Sequence, residues 1–224
     1  MSTTAEIRAE LNGLVFGRIS MADGVVAPLI FVVANRVWGL SVATVAGISV
    51  AAAITMWRLL RGKRIRFAVS GLLGTGLAAA FALRSGSAED FFLPGIISGA
   101  VTTLAILLSI GVRRPFVAWT SWLTRGWPLE WYWHPSVRPA YTRASWMWAT
   151  FFFARTVVQW QLYRSGESGV LAVARVALGW PALLALLILT YVFGRRWLGS
   201  LGGPSVAEYE AGSDRPWVGQ TAGF

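Results

Sequence analysis

The chain has 224 residues, of which 55% are hydrophobic and 13% are charged. This balance lies outside the usual range of soluble domains and predicts an integral membrane protein. Cysteine is absent from the sequence, which excludes a disulfide framework, a thiolate nucleophile and a cysteine metal site. His134 is the only histidine, so a multi-histidine metal site is excluded as well, and no cofactor is indicated.

The formal net charge of the chain is +10. In a soluble protein such a charge would suggest a nucleic-acid partner, and interleaved arginines and aromatics would support that interpretation. Here, however, the basic residues stand at the ends of apolar segments, where the anionic headgroups of a membrane attract them. We therefore expect the partners to be membrane lipids, with anionic headgroups at the inner surface, and we expect no nucleic acid.

In chain order, residues 1–22 place apolar side chains at near-helical spacing with charges between them. We expect either an amphipathic helix on the inner membrane surface or a frayed cytoplasmic leader. A transmembrane domain then covers residues 23–197, and the glycine-rich remainder, 198–224, predicts a disordered cytoplasmic tail. The fold class is thus all-α, a six-transmembrane-helix bundle with interfacial helices. The predicted crossings are residues 25–40, 41–60, 67–83, 91–112, 145–163 and 170–194.

The distribution of Lys and Arg orients these crossings. The stretch from Arg58 to Arg66, where the second crossing ends and the third begins, carries five basic residues and no acid, which is the strongest cytoplasmic signal in the chain. With the N-terminus inside, fifteen basic residues fall on the inner side, while Arg36, Arg84 and Arg164 fall outside. We therefore predict a multi-pass protein of the inner (plasma) membrane with both termini in the cytoplasm.

The fourth crossing is the clearest of the six, because residues 91–112 carry no charge over a length that matches the hydrocarbon core. Gly95 and Gly99 on it, and Gly71 on the third crossing, are small residues that let helices approach closely. Ordinary packing within the bundle and a homodimer are both compatible with this pattern.

Residues 113–143 form a long inner loop in which tryptophans and tyrosines alternate with arginines. This composition is typical of the headgroup level of a membrane. We expect residues 116–123 to form a short interfacial helix, and four prolines exclude one continuous helix through the loop. We interpret His134 as an interfacial polar residue.

Several polar side chains lie within or near the outer half of the predicted crossings. An arginine near the bilayer centre is costly, so Arg155 needs a partner or a hydrated cavity. One hypothesis is a site for an anion or an anionic headgroup. The other is a structural lock, in which Asp90 pairs with one arginine, helix-end carbonyls accept from another, and Arg36 and Arg164 reach the outer surface. The candidate ligand-binding residues are Asn35, Arg36, Arg84, Asp90, Arg155, Gln159 and Arg175.

Certain short motifs resemble an actinobacterial multi-pass membrane protein family of unknown function. They are Ala27-Pro-Leu-Ile-Phe31, Trp57-Arg-Leu-Leu-Arg61, Asp90-Phe-Phe-Leu-Pro-Gly95, Arg113-Arg-Pro115, Arg155-Thr-Val-Val-Gln159 and Leu162-Tyr163. More distantly, Pro28-Leu-Ile-Phe31, the basic second loop, Arg114-Pro115 and Trp148-Ala-Thr-Phe-Phe152 are similar to the intracellular septation protein A family. That resemblance implies a role in envelope maintenance or cell division and supplies no catalytic residues.

Two functions follow as expectations. The first is a non-enzymatic membrane protein that supports the cell envelope or division through lipid or protein contacts. The second is a small transporter or channel for an anionic solute or lipid, which would use the arginine-lined pocket. We do not expect an enzyme, because the sequence lacks paired intramembrane carboxylates, a metal motif and a histidine base with acids near it.

Overall fold

A computed structural model describes residues 21–60, 65–220 and 223–224 of the chain. These residues form α-helices and no β-strand, which confirms the all-α class. The predicted N-terminal segment 1–22 lies outside the described residues except for its last two positions. The helices are α1 (Met21–Trp38), α2 (Leu40–Leu60), α3 (Ile65–Ser85), α4 (Leu93–Gly111), α5 (Phe116–Arg125), α6 (Leu129–Trp133), α7 (Arg138–Arg164), α8 (Ser168–Ala177), α9 (Trp180–Leu201) and α10 (Val206–Glu210).

In the described part of the chain, three stretches are long and apolar enough to cross a membrane, namely Leu40–Trp57, Leu93–Gly111 and Ser168–Leu201. Two apolar helical stretches are shorter, Leu29–Trp38 and Gly71–Ser85. Helix α7, the predicted fifth crossing, is not among them, because its arginines and glutamines lower its mean hydropathy. The structure thus supports membrane insertion, and the count of six crossings stays a prediction.

The predicted sixth crossing, residues 170–194, differs from the structure in its continuity and its end. The chain forms α8 and α9 with Leu178 and Gly179 between them, and α9 continues to Leu201. Pro181 explains the break, since it has no N–H to donate and its ring would collide with the carbonyl of Ala177 in a continuous helix. A proline near the first position of a new helix is well tolerated.

The described residues divide into two compact units. Unit 1 takes its residues from Met1–Ser98 and Val157–Ala182, and unit 2 from Gly99–Thr156 and Leu183–Phe224. The core of unit 1 consists of aromatic and small side chains contributed by α1, α2, α3, α8 and the segment before α4. Its buried members are Phe31, Ala34, Ala43, Ala78, Ala79, Ala82, Phe91, Phe92, Leu171 and Ala172.

Unit 2 contains residues 113–143, here called the tryptophan-rich loop, whose short helices pack on the first part of α7. The Val117 N–H at the start of α5 donates to the buried Ser145 hydroxyl at 3.1 Å. Helix α5 spans Phe116–Arg125, which agrees with the helix predicted over 116–123. It ends at Gly126, whose φ of 70° places it in the left-handed conformation that terminates many helices.

The C-terminal segment, residues 203–224, differs from the predicted disordered tail. Its described residues include α10, which begins with a capping box between Ser205 and Glu208. The indole N–H of Trp131 donates to the carbonyl of Pro204 at 2.9 Å, and this bond is buried. Composition predicted disorder because the segment is poor in apolar residues, but a few specific contacts to the tryptophan-rich loop hold it in place.

Candidate functional site

The segment of residues 90–95 (Asp-Phe-Phe-Leu-Pro-Gly) lies at the centre of unit 1. A short 3-10 turn, Glu89–Phe91, leads from α3 into α4 and directs two aromatic side chains into the core. The Phe91 ring stacks on Phe31 of α1 with 4.0 Å between ring centroids. Phe92 packs edge-on against Phe91 at 5.5 Å. The segment therefore joins α1 to the start of α4 through buried aromatic contacts.

Asp90 is tied to the end of α7. The hydroxyl of Tyr163 donates a short hydrogen bond to Asp90 Oδ1. The carboxyl group is only partly buried, and Tyr163 itself packs against the core of unit 1. In this arrangement Asp90 fixes the 3-10 turn to α7.

Arg175 of α8 lies against the other end of the 90–95 segment. Its guanidinium carbon stands 5.7 Å from the centroid of the Phe92 ring, within the range of a cation–π contact. A Cβ atom built on Gly95 would lie 2.3 Å from Arg175 Nη1, so the guanidinium occupies the space that any larger residue would fill. A larger residue at position 95 would therefore collide with Arg175, one of the residues predicted to bind a ligand, and the helix-packing role of Gly95 stays a prediction.

The remaining candidate residues lie in different surroundings. Arg36, near the end of α1, and Arg84, at the end of α3, are exposed, and Asn35 is half-buried. Gln159 is buried in unit 1, and its Nε2 has no hydrogen-bond partner among the described residues. Arg155 belongs to unit 2 and is half-buried. The contacts of the structure bring Arg175 to Gly95 and Phe92 but do not draw the exposed arginines into an interior pocket.

The other two predicted packing glycines behave differently from each other. A Cβ atom at Gly99 would lie 2.6 Å from the hydroxyl of Thr156, so α4 and α7 approach closely at this point of unit 2. Gly71, in contrast, is exposed. The predicted role of Gly71 in helix packing stays a prediction.

Residues 15–199 match the sequence profile of a family described as protein of unknown function (DUF3159). The chain belongs to this family. Comparison with curated proteins and with solved structures finds no match. The matched region includes the 90–95 segment, Arg175 and the tryptophan-rich loop, whereas α10 and the residues after it lie beyond the match.

Within the DUF3159 region, the tryptophan-rich loop holds an aromatic core that the sequence analysis did not foresee. Trp131, Tyr132 and Tyr141 are fully buried, whereas Trp119 and Trp122 on α5 are 41% and 38% exposed. The three buried rings meet edge to face, with centroids 5.0 to 6.1 Å apart. Composition predicted the headgroup level for all five rings, because it does not separate aromatics that face lipid from those that face one another.

Burial governs the chemistry of this aromatic core. Desolvation raises the pKa of Tyr132, although a hydrogen bond with the Ser121 hydroxyl at 3.1 Å and the charge of Arg125 oppose the rise. Desolvation also raises the pKa of Tyr141. Both phenols are therefore neutral at physiological pH and act as packing groups with a polar end.

His134 has the surroundings of a structural residue. Its Nδ1 accepts from the backbone N–H of Ser136 at 3.2 Å, and its ring lies 5.4 Å from the ring of Trp217. Desolvation, together with the charge of Arg215, lowers its pKa below the usual value of about 6.5. The imidazole is therefore neutral at pH 7, which agrees with its interpretation as a polar residue of the loop.

Proposed function

We propose that the protein is a non-enzymatic, multi-pass protein of the inner (plasma) membrane that supports the cell envelope or division through lipid or protein contacts. The observation that carries this proposal is the packing of Arg175. Its guanidinium fills the space above Gly95 and covers the face of Phe92. An arginine used in this way contributes to packing between α8 and the start of α4, which supports a structural role for it over a ligand-binding one.

The exposed surface of α4 supports a role at the lipid boundary. Val101, Leu104 and Leu108 are 57 to 60% exposed, and their spacing of three and four residues places them on one face of the helix. An apolar helix face of this kind is stable in contact with acyl chains. The exposed Arg113 and Arg114 follow directly and suit the anionic headgroups proposed as partners.

The finer assignments belong to the same proposal. The bias of basic residues supports six crossings with both termini in the cytoplasm. The motif resemblance described above supports an actinobacterial origin, and the distant similarity to the intracellular septation protein A family supports the role in the envelope or division. We propose no cofactor and no nucleic-acid partner.

Transport of an anionic solute or lipid is the second candidate function. It is favoured by the buried amide of Gln159, whose Nε2 lacks a partner among the described residues. A buried polar group without a partner is costly, and a transported ligand or water would satisfy it. The charge of the half-buried Arg155 would attract an anion in the same way.

Reconstitution separates the two functions. Purified protein in proteoliposomes would be tested for uptake of phosphate, small carboxylates and a fluorescent anionic phospholipid. Arg155→Gln and Gln159→Leu would be compared with Arg164→Gln, which changes an exposed arginine of the same helix. The proposal expects no flux above empty liposomes. Flux that Arg155→Gln abolishes and Arg164→Gln preserves would replace it with the transport function.

A second experiment tests the envelope role directly. Cells lacking the protein should show altered length or increased sensitivity to detergent, and the wild-type chain should restore both. Gly95→Leu removes the space for Arg175 and should fail to restore them. Gly74→Leu should succeed, because no atom of the described residues lies within 4 Å of the position that a Cβ would take there. Normal division and normal detergent resistance in cells without the protein would contradict the proposal.

A further inference from the structure

We propose that unit 2 carries a binding pocket for a Gly-Phe segment of a partner protein, and that Gly223 and Phe224 of the chain's own C-terminal segment occupy this pocket in the structure. The pocket, here called the Phe224 pocket, is formed by Arg125, Trp127, Tyr141 and Gly194. The inference does not depend on the proposed membrane function.

The aromatic part of the pocket fits a phenyl ring closely. Phe224 is 8% exposed and lies parallel to the Tyr141 ring, with 4.4 Å between centroids and 6° between planes. Gly194 of α9 lies against the same ring, since a Cβ atom at this position would lie 2.3 Å from Cδ1 of Phe224. Any side chain at position 194 would therefore fill the pocket, and the glycine leaves room for an aromatic ring.

The polar part of the pocket recognises the main chain of the occupant. Arg125 Nε donates to the oxygen of Phe224 at 3.0 Å. The same guanidinium lies over the Trp127 ring at 4.9 Å, which orients it. A charged donor forms a stronger hydrogen bond than a neutral one, so the arginine adds both affinity and direction.

The pocket also selects the residue before the phenylalanine. Gly223 has a φ of 79°, a conformation that residues with a Cβ rarely adopt. A built Cβ at this position would lie 2.8 Å from Trp127 Cη2 and 2.9 Å from Arg125 Nη1. Backbone conformation and space together therefore favour glycine, and the recognised unit is the dipeptide Gly-Phe.

The rest of the C-terminal segment has separate anchors, so Phe224 can leave without it. Pro204 is held by Trp131, and the Glu208 carboxylate accepts from the N–H groups of Val218 and Gly219. A tethered occupant competes with a free peptide at an effective concentration that reaches millimolar. A partner segment would thus bind when it is abundant or when the tether is weakened, and the Phe224 contact would act as a built-in competitor.

The test is ¹⁹F NMR with N-acetyl-Gly-(4-fluoro-Phe)-amide and the full chain in nanodiscs. The peptide should bind Phe224→Ala at least about tenfold more tightly than wild type, because the competing ring is gone. The matched peptide with Ala in place of Gly should bind that variant at least about tenfold more weakly, a difference of about 1.4 kcal/mol. The double variant Phe224→Ala, Gly194→Leu should not bind.

A second variant keeps the test valid if Phe224→Ala misfolds. Gly223→Ala should weaken the internal contact while leaving every pocket residue in place, and it too should bind the Gly-Phe peptide more tightly than wild type. Absence of binding to both variants, with thermal unfolding like that of wild type, would overturn the proposal. Equal binding to the Gly194→Leu double variant would do the same. If the wild-type chain forms a dimer and Phe224→Ala does not, the pocket binds a second copy of the chain, and the proposal of a partner protein would be wrong.

Discussion

The glycines of this chain differ in what lies around them, although the sequence presents them as one class of small residue. Gly95 faces the Arg175 guanidinium, and Gly99 faces the Thr156 hydroxyl. Among the described residues, no atom lies within 4 Å of the position that a Cβ would take on Gly74 or Gly76 of α3. A side chain at Gly95 would displace a charged group from an aromatic face, whereas one at Gly74 would meet open space.

This difference predicts opposite effects of the same substitution. Gly74→Ala should leave the protein as stable as wild type or raise the free energy of unfolding by up to about 1 kcal/mol, because alanine favours the helix. Gly95→Ala should be less stable than Gly74→Ala by about 1 to 2 kcal/mol, because Arg175 must leave Phe92. Thermal unfolding in detergent measures both variants.

The control for this prediction is the double variant Gly95→Ala, Arg175→Leu. If the contact with the guanidinium causes the loss of stability, Gly95→Ala should lower the free energy of unfolding much less in the background without Arg175. An equal loss of stability with and without Arg175 would show that this contact is not the cause.

At the scale of elements, the capping box of α10 predicts a pH dependence for the C-terminal segment. Backbone hydrogen bonds from Ser205 and Val218, together with the Ser205 hydroxyl, lower the pKa of Glu208 to about 2. The ordinary glutamate value is about 4.3. Because the folded pKa is depressed, this stabilisation is present above about pH 4.3 and is lost as the pH falls towards about 2.

The measurement is an NMR titration of the Val218 and Gly219 amide signals. Both should shift with a midpoint well below 4.3 in the wild-type chain. In Glu208→Gln the shift should be absent and the two amides should exchange faster with solvent at pH 7. Exchange equal to that of the wild type would show that the carboxylate does not hold this part of the segment.

The buried bond between Trp131 and Pro204 gives a second prediction at this scale. Trp131→Phe removes the indole donor and leaves the Pro204 carbonyl buried without it, which should cost about 1 to 3 kcal/mol. The C-terminal segment should then be cleaved faster by a protease added to the purified protein. Trp146→Phe changes a tryptophan that is 52% exposed and should leave the cleavage rate unchanged. Equal rates in the two variants would count against the role of this bond.

For the molecule as a whole, the positive-inside bias predicts the membrane topology. Because the chain has no cysteine, an introduced cysteine is its only thiol, and labelling reports on that position alone. Single cysteines at Ser165, between α7 and α8, and at Ser213, after α10, would be labelled with a membrane-impermeant maleimide in spheroplasts. Six crossings with cytoplasmic termini predict labelling of Ser165→Cys in intact spheroplasts and of Ser213→Cys only after permeabilisation. The same response at both positions would require a different number of crossings.

Local composition was enough to predict the all-α class, the presence of helices apolar enough to cross a membrane and the approximate ends of most helices. These properties depend on local composition, since a run of apolar residues is stable in lipid wherever the rest of the chain lies. The apolar run predicted over 91–112 coincides with the helix Leu93–Gly111, which shows how strong this local signal is. Of the candidate ligand-binding residues, Asp90 and Arg175 have partners within unit 1, and the ligand-binding role predicted for them stays a prediction.

The identity of the partners of individual side chains depends on the tertiary structure. Trp131 meets Pro204 and Arg125 meets Phe224 across long separations in sequence, and neither pairing has a periodic signature. For the same reason composition predicted a disordered tail and a lipid-facing Trp131, although the two are bonded to each other. Local composition records how each residue prefers lipid, water or protein in general, whereas a specific contact depends on which distant segment the fold brings beside it.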